Sequence, residues 1–293
     1  MKNATRRPKF TASFQGEPGA FSETAARQLL GNDIAVLPCQ KFSEVFTTLE
    51  TGKVQAAIVP IENSLHGSVH ENYDHLLHHD LPIVGETFVR IVHNLIAPPG
   101  VSFHNVQRVF SHPVALNQCL SFFERHPQFE KVTFYDTAGS VKMLMEEKLT
   151  DSAGIASAAA AERYGARILR KSIEDDRQNF TRFFLLTKKP AALKRDKLGG
   201  KRPWKTSLVF TTRNIPGALF RSLSAFALRD VNLTKIESRP LRGKPWEYLF
   251  YLDFLGHVED PVVKNAIGHL RELADFLKIL GCYPAGTTQS KNA

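Results

Sequence analysis

The sequence predicts an α/β protein with a two-lobed region followed by a smaller, ferredoxin-like domain. Three observations support this prediction. The first two-thirds of the 293 residues alternate short apolar runs with helical patterns, which is typical of α/β units with largely parallel sheets. A stretch rich in Lys, Gly and Pro follows at Pro190 to Pro203 and is typical of a linker. After Trp204 the order of the predicted elements becomes βαββαβ.

The elements of the first region follow from the spacing of apolar residues. Phe10, Ala12 and Phe14 alternate as in a strand, whereas the stripe that starts at Phe42 and Val45 has the spacing of an amphipathic helix. Further strands are predicted at 54–59, 88–96, 106–110, 132–135, 154–156 and 183–186, and further helical stripes at 21–29, 69–77, 116–123 and 141–145, with an Ala-rich helix ending at 162. This region is long for one sheet, so two lobes with a cleft are expected.

The second region shows the same two periodicities in a different order. Strands are predicted at 207–211, 231–238, 248–254 and 276–280. The two intervening helices are predicted to open at Pro216 and Pro261, because proline suits the first position of a helix. The resulting βαββαβ order is the ferredoxin-like arrangement.

Charge and composition exclude several classes of protein. The net charge of +9 is concentrated in the first 14 residues and in Lys188 to Lys205, so we predict no nucleic-acid partner, which would require a basic folded face. No apolar run reaches the roughly 18 residues of a membrane helix, and no membrane association is predicted. The three widely spaced cysteines and the polar N-terminus, which lacks a signal-peptide pattern, predict a cytoplasmic protein.

Hydroxyl and amide side chains recur where predicted strands give way to helices. They are Ser22, Asn63, Ser64, Ser111, Thr137 and Ser157. The carboxyl ends of parallel strands are where open α/β sheets bind ligands, and helix N-termini favour anions. Ordinary helix capping uses the same residue types, so both interpretations stay open at each position. Their recurrence favours a pocket for a small anion.

Two other groups of residues have alternative interpretations. In Asn179 to Phe183 (NFTRF), Arg182 could hold a carboxylate and Thr181 could donate beside it, but a turn threonine next to a surface arginine is the simpler reading of the residues alone. Five histidines lie between His66 and His79, without a His-Glu-x-x-His pattern or a cysteine partner, so no metal site is predicted. Phosphate-binding and dinucleotide-binding patterns are also missing from the sequence.

Several motifs together resemble one known family. The motifs are GEPGAFS at 16–22, PIENS at 60–64, SHPVALNQC at 111–119, NFTRF at 179–183, PGAL at 216–219 and ESRP at 237–240. In this order they resemble the prephenate dehydratases, and the last two resemble the phenylalanine-binding signatures of the ACT domain attached to these enzymes. The resemblance runs from about Phe10 to Tyr283. Departures from the family pattern occur at Ala20, Val114 and Asp136.

The resemblance implies a fold, a reaction and a form of regulation. It implies a periplasmic-binding-protein-like catalytic region at 10–188 with its site between two lobes, a basic linker at 189–204 and an ACT domain at 205–284. The implied enzyme is a carbon–oxygen lyase of L-phenylalanine biosynthesis, which converts prephenate to phenylpyruvate with loss of carbon dioxide and water. Phenylalanine is implied as a feedback inhibitor and a homodimer or homotetramer as the assembly. The family implies neither a cofactor nor a metal.

The resemblance also assigns roles to individual residues. Thr181 matches the essential threonine of the family. We hypothesise that Thr181 donates to the leaving hydroxyl, and that Arg182 and the helix N-termini expected at Ser22 and Ser64 hold the side-chain carboxylate. The implied catalytic residues are Thr181, Glu62, Asn63 and Gln118; the implied substrate-binding residues are Ser22, Ser64, Ser111, Thr137, Arg182 and Phe183; the implied phenylalanine-binding residues are Asn214, Gly217, Ala218, Leu219, Glu237, Ser238, Arg239 and Pro240.

Two alternatives to a prephenate dehydratase remain open from the sequence. Ser68 to Leu77 (SVHENYDHLL) resembles plant-type members that prefer arogenate, and the first alternative is therefore an arogenate dehydratase. Such an enzyme would carry out the same chemistry on the amino analogue of prephenate. A non-catalytic, phenylalanine-sensing binding protein would use the same folds. The presence of Glu62, Asn63, Gln118, Thr181 and Arg182 favours an enzyme, since a sensor needs no donor for a leaving group.

Overall fold

The computed structural model describes residues 10–189, 202–241, 243–244 and 246–287, so most of the predicted linker at 189–204 lies outside the described residues. Within the described ranges the chain divides into two compact units. The first comprises residues 10–72 and 87–183, and the second comprises residues 73–86 and those from 184 onward. None of the helices in these ranges has the length and apolar character needed to cross a bilayer.

The first lobe of the first unit is built on a parallel sheet. Its elements are β1 (Thr11–Gln15), α1 (Phe21–Leu30), β2 (Ala35–Cys39), α2 (Phe42–Glu50), β3 (Ala56–Asn63) and the short β4 (Gly67–Ser68). The next two elements along the chain, α3 (His70–His78) and β5 (Ile83–Arg90), include residues 73–86, which belong to the second unit. Strand β1 lies between β2 and β3 and is parallel to both. The stripe predicted from Phe42 onward is confirmed, because α2 buries Val45, Phe46 and Leu49.

The second lobe of the same unit has a separate five-stranded sheet. Its elements are β6 (Asn94–Ala97), a short 3₁₀ helix (Phe103–Asn105), β7 (Arg108–Ser111), α4 (Pro113–Asn117), α5 (Leu120–Arg125), β8 (Glu130–Thr133), α6 (Thr137–Glu147), β9 (Ser152–Ala156), α7 (Ala158–Tyr164) and β10 (Arg167–Arg170). The strand order is β10-β6-β9-β7-β8. The next strand, β11 (Phe180–Thr187), returns to lie beside β3. The chain therefore leaves the first lobe, builds the second and comes back.

The second unit contains the predicted βαββαβ arrangement. Its elements are β12 (Trp204–Thr212), α8 (Ala218–Ala227), β13 (Leu233–Pro240), β14 (Tyr248–Leu255), α9 (Pro261–Leu273) and β15 (Ala274–Pro284). The strand order β13-β14-β12-β15 is that of a ferredoxin-like sheet. Helix α9 starts at Pro261 as predicted, but α8 starts at Ala218 because Gly217, with φ of 77°, forms its N-cap. The predicted α/β fold class is confirmed.

The single strand predicted at 88–96 is wrong. Strand β5 ends at Arg90 and β6 begins at Asn94. Between them, the backbone N–H of Ile91 donates to the Asn179 carbonyl at 2.8 Å, and that of His93 donates to the Glu174 carboxylate at 3.0 Å. The interruption arises because these two donors have partners about 80 residues away in sequence, which no local pattern reveals.

The single helix predicted at 116–123 is also wrong. Helix α4 ends at Asn117 and α5 starts at Leu120, so Gln118 and Cys119 lie between two short helices. The Asp175 carboxylate accepts from the backbone N–H groups of Leu120 and Ser121, at 2.7 and 3.0 Å. A carboxylate in this position caps a new helix N-terminus. Because of this break, the Gln118 side chain does not belong to the face of a continuous helix.

Replacing Gly19 with alanine is expected to destabilise the first unit more than the same change at Gly31. Both glycines have positive φ, 91° and 88°. An added Cβ at Gly19 would lie 2.7 Å from the Cα of Ala160, whereas the space around Gly31 is open. Both alanine variants would have similar backbone strain because the two φ angles are similar. Only the Gly19 variant would also have the clash with Ala160, which should lower its unfolding free energy by about a further 1–3 kcal/mol. Denaturant unfolding of the two variants measures the difference; equal losses would contradict the packing described here.

Candidate active site

The Thr181 hydroxyl lies at the start of β11, beside the end of β3. The Nδ2 group of Asn63 donates to Thr181 Oγ1 at 3.0 Å and to Asn179 Oδ1 at 2.8 Å. A hydroxyl that accepts a hydrogen bond becomes a better donor, because neighbouring hydrogen bonds polarise one another. The geometry thus prepares Thr181 to donate its own proton to a further acceptor.

The same asparagine connects Thr181 to Gln118 of the second lobe. Asn63 Oδ1 accepts from the backbone N–H groups of Leu65 and His66, each at 3.0 Å, which fixes the turn after β3. The Nδ1 atom of His66 then lies 3.1 Å from Nε2 of Gln118. We call this chain of contacts, Thr181–Asn63–His66–Gln118, the polar network. It brings together three of the four residues that the sequence predicts as catalytic.

The fourth predicted catalytic residue, Glu62, lies on a different face of the sheet. Side chains alternate along a strand, so Glu62 leaves β3 on the face opposite to Asn63, as Arg182 leaves β11 opposite to Thr181. The Arg182 guanidinium is almost fully buried and its Nη1 lies 3.8 Å from the Glu62 carboxylate. The structure therefore places the Glu62–Arg182 pair apart from the polar network, and their predicted contact with substrate stays a prediction.

The expectation that Ser64 marks a helix N-terminus is wrong. The helix that follows begins at His70, after β4. The Ser64 hydroxyl instead donates to the Gln178 carbonyl at 2.8 Å and accepts from the Phe180 backbone N–H at 2.9 Å. These bonds attach the end of β3 to the start of β11. Ser64 therefore holds Asn63 and Thr181 in register.

The other predicted substrate-binding residues occupy varied positions. Ser22 is buried in the first turn of α1, and Thr137 is half-buried at the first position of α6. Ser111 is fully buried and donates to the Ile155 carbonyl at 2.7 Å, a bond that joins β7 to β9. Phe183 is buried in β11. The first two lie at helix N-termini, where an anion is favoured. The bond of Ser111 links two strands, and the predicted contact of Ser111 and Phe183 with substrate stays a prediction.

A group of charged and phenolic side chains surrounds the start of α6. Asp136 caps this helix by accepting from the Gly139 backbone N–H at 2.6 Å, and burial raises the pKa of its carboxyl. Glu17 accepts from the Tyr135 hydroxyl at 3.1 Å and from Lys142 Nζ at 3.2 Å. Burial, and next the charge of Glu17, raise the pKa of Tyr135 to about 12. These contacts join the loop after β1 to the second lobe.

Sequence reasoning missed three residues that support the polar network: His66, His93 and Glu174. His66 was visible only as one member of a histidine-rich stretch. His93 lay inside an apolar run predicted as a strand, and a histidine in such a run is the one signal that marked it. Glu174 accepts from the His93 backbone and lies 3.3 Å from the Arg90 guanidinium. No local pattern distinguishes Glu174 from an ordinary surface carboxylate.

The histidine-rich stretch at 66–79 does not assemble a metal site. Within the described residues no three His, Cys, Asp or Glu side chains are grouped as metal ligands would be. In α3, the His78 ring nitrogen contacts the Asp74 carbonyl at 2.6 Å, and His75 and His79 have their rings 5.8 Å apart.

The predicted phenylalanine-binding residues fall into two groups in the second unit. Asn214, Ala218 and Leu219 line one pocket together with the aromatic rings of Trp246 and Phe250. Gly217 precedes Ala218 as the N-cap of α8. The second group, Glu237, Ser238, Arg239 and Pro240, forms the end of β13 and does not line this pocket. Arg239 there donates to the Asp74 carboxylate at 2.7 Å.

Comparison with known proteins identifies the family. The model of the family named prephenate dehydratase matches residues 12–191, which include the whole polar network. The chain belongs to the prephenate dehydratase family. A crystal structure of a prephenate dehydratase in complex with L-Phe from Arthrobacter aurescens is 34% identical, with a TM-score of 0.84 over 94% of this chain and 90% of that one. The family resemblance seen in the sequence is confirmed.

Two further relatives extend the comparison. "Arogenate dehydratase/prephenate dehydratase 2, chloroplastic" of Arabidopsis thaliana is 45% identical over 94% of this chain and 73% of its own length. A solved structure described as the quorum-quenching acylase GqqA is 36% identical, with a TM-score of 0.85 over 94% of this chain and 98% of that one. The predicted cytoplasmic location is contradicted, because several plant relatives are named as chloroplastic.

Proposed function

We propose that the chain is a prephenate dehydratase that forms phenylpyruvate in L-phenylalanine biosynthesis. The observation that carries this proposal is the polar network, in which the Asn63 amide donates to the Thr181 hydroxyl and leaves it free to donate onward. Family membership supplies the reaction class, a dehydratase. The network supplies an uncharged donor positioned by fixed partners, which is what the departure of a hydroxyl requires.

The proposed reaction breaks two bonds of the substrate. The bond between the ring and its carboxylate breaks to release carbon dioxide, and its electron pair enters the ring, which becomes aromatic. The carbon–oxygen bond to the ring hydroxyl breaks at the same time. The hydroxyl leaves as water, with its extra proton supplied ultimately by solvent. The Thr181 hydroxyl donates to the leaving oxygen, and preorganised contacts to Asn63 keep it oriented for that role.

The anionic side chain of the substrate would bind at the N-terminus of α1. This helix has ten residues, its first turn contains the buried Ser22, and its free N–H groups favour an anion. The ring of Phe21, its first residue, lies 6.0 Å from the ring of His93, which contacts Gln118. The first residue of α1 is therefore linked through His93 to Gln118 of the polar network. In this arrangement Gln118 and Asn63 orient the ring, and the departing carboxylate avoids a strong cationic partner that would resist its loss.

Arogenate is the second candidate substrate, because the plant relatives are named as arogenate dehydratases. Arogenate carries an amino group in place of the keto group, so the same two bond cleavages yield phenylalanine. Purified protein should be incubated with each compound in parallel, and phenylpyruvate and phenylalanine measured separately. A higher kcat/KM for prephenate supports the proposal, and a higher value for arogenate replaces it with the amino analogue. Consumption of neither compound would leave a phenylalanine-sensing protein as the better account.

We further propose that residues 10–188 form the catalytic region and that residues 205–284 form an ACT-type regulatory domain that binds phenylalanine. The pocket beside α8 supports this, since the backbone at Gly217 and Ala218 begins a ten-residue helix next to the rings of Trp246 and Phe250. Phenylalanine added to the assay should lower turnover. Unchanged turnover and no measurable phenylalanine binding would contradict the regulatory role.

A homo-oligomer, dimeric or tetrameric, is proposed on the basis of exposed apolar side chains in the second unit. Phe220 of α8 and Leu228, the residue after this helix, are 75% and 77% exposed, and Ile236, Phe276 and Ile279 are exposed on the sheet. Several large apolar side chains on one small domain mark an association surface. Sedimentation of the protein at several concentrations measures the assembly, and a monomer throughout would contradict it.

A further inference from the structure

His93 lies in the interruption between β5 and β6 and is held by its backbone on both sides. Its N–H donates to the Glu174 carboxylate at 3.0 Å, and its carbonyl accepts from the Ile173 N–H at 2.9 Å. The residue is only 2% exposed. Two backbone bonds and this burial leave the imidazole little freedom to turn, so its ring nitrogens have fixed directions.

The imidazole of His93 contacts the amide of Gln118 from the protein interior. His93 Nε2 lies 2.7 Å from Gln118 Oε1, and Gln118 Nε2 lies 3.1 Å from His66 Nδ1 on the other side. Gln118 is itself buried and lies in the break between α4 and α5. The amide is therefore held between two imidazoles, one from the segment between β5 and β6 and one from the turn after β3.

When an amide lies between two imidazoles, its oxygen can face either ring, and the ring nitrogens that carry protons decide which imidazole donates and which accepts. His93 Nδ1 decides the direction, because it is buried and has no hydrogen-bond partner among the residues that the structure describes. A proton on Nδ1 would create an orphaned buried N–H, which is rarer in proteins than an orphaned lone pair. The proton therefore resides on Nε2, which donates to Gln118 Oε1. Burial lowers the pKa of His93, which keeps the ring neutral at neutral pH.

We propose that His93 is a positioning residue that fixes the Gln118 amide with its NH₂ group directed toward His66 and the substrate. This inference deepens the proposed function and rests on it for its kinetic consequences. The Gln118 amide oxygen accepts a hydrogen bond from the His93 imidazole. The NH₂ group of Gln118 is therefore the part of the amide that can donate to a substrate oxygen. The NH₂ group contacts His66 in the structure and would exchange this partner for the ring oxygen of the substrate.

Four variants, two single changes at His93, Gln118→Ala, and Gln118→Ala combined with His93→Leu, test the kinetic part. His93→Leu removes the donor and should lower kcat/KM by about 10- to 100-fold, since a misplaced orienting group costs up to that much. His93→Gln places an amide N–H near the position of Nε2 and should recover activity to within about threefold of the wild type. In a Gln118→Ala background, His93→Leu should change the rate by less than about threefold, because coupled residues are not additive. Equal losses in His93→Gln and His93→Leu, or the same loss in both backgrounds, would overturn the proposal.

A measurement without turnover separates this inference from the proposed function. The ¹⁵N imidazole resonances of the folded wild type, with His93 assigned by its disappearance in His93→Gln, report which nitrogen carries the proton. A proton on Nε2 at neutral pH is the expected result. A proton on Nδ1 would overturn the assigned amide direction even if the enzyme is active. Correct tautomer with no activity on either substrate would instead contradict the proposed function alone.

Discussion

Replacing Thr181 with valine should lower kcat by about 10²- to 10³-fold, which corresponds to roughly 2.7–4 kcal/mol of lost transition-state stabilisation. Valine keeps the shape of threonine but removes the donor that meets the leaving oxygen. KM should change little, because the contact strengthens as the carbon–oxygen bond breaks and contributes less to ground-state binding. Steady-state kinetics on the preferred substrate measures both constants.

Thr181→Ser is the matched control for this change. Serine retains a hydroxyl that can accept from Asn63 Nδ2, now 3.0 Å from Thr181 Oγ1, and donate to the substrate. It should keep turnover within about tenfold of the wild type, because only the conformational restriction by the threonine methyl group is lost. A valine variant with wild-type kcat would remove Thr181 from the mechanism, and equally impaired serine and valine variants would assign it a packing role.

Replacing Lys205 with methionine should destabilise the second unit by about 3–5 kcal/mol, because it removes one member of an ion pair with a buried carboxylate. Lys205 Nζ lies 2.6 Å from the Glu86 carboxylate, whose side chain is 0% exposed. The same carboxylate oxygen also accepts from the Gly286 backbone N–H at 2.8 Å. A backbone N–H is a weak substitute for a positive charge. Denaturant unfolding followed by circular dichroism gives the change.

Lys244→Met provides a comparison for the same chemical change at the surface. Lys244 Nζ lies 3.4 Å from the Glu247 carboxylate, and its side chain is 62% exposed. Exposed pairs contribute about 0–1 kcal/mol, so this variant should unfold almost as the wild type does. Similar unfolding of the two variants would show that the Lys205–Glu86 pair is solvated rather than buried.

Elements with a strong local pattern were predictable from the sequence. Helix α2 was predicted from its apolar stripe, and α9 from Pro261, because amphipathic spacing and proline placement act within a few residues. The strands β2 and β10 were missed. Both are short and only partly buried, so neither shows the apolar run or alternation that marks a strand.

Two incorrect secondary-structure predictions concern the two residues that share the hydrogen bond between His93 Nε2 and Gln118 Oε1. The predicted strand at 88–96 is interrupted at His93, and the predicted helix at 116–123 is interrupted at Gln118. The side chains of Glu174 and Asp175 hold these interruptions in place, and both come from one loop far along the chain. Local sequence rules are expected to fail at functional sites, where distant partners override propensity.

The candidate site was predictable only in its residue types. Motif resemblance named Asn63, Gln118 and Thr181, and the structure joins them through His66, which no pattern singled out. The separation of Arg182 from Thr181 followed from strand alternation once β11 was known to include both. The NFTRF sequence alone does not reveal it, since a turn at the same place would allow both side chains to face one ligand.

The most direct test of the account is the amount of carbon dioxide and aromatic product formed from prephenate by the purified wild-type chain. A decarboxylating dehydration predicts one carbon dioxide for each phenylpyruvate, and loss of both products together in Thr181→Val. Phenylpyruvate and carbon dioxide in equal amounts that vanish with the hydroxyl would support the site described here. Carbon dioxide without an aromatic product, or equal formation of both by wild type and variant, would contradict it.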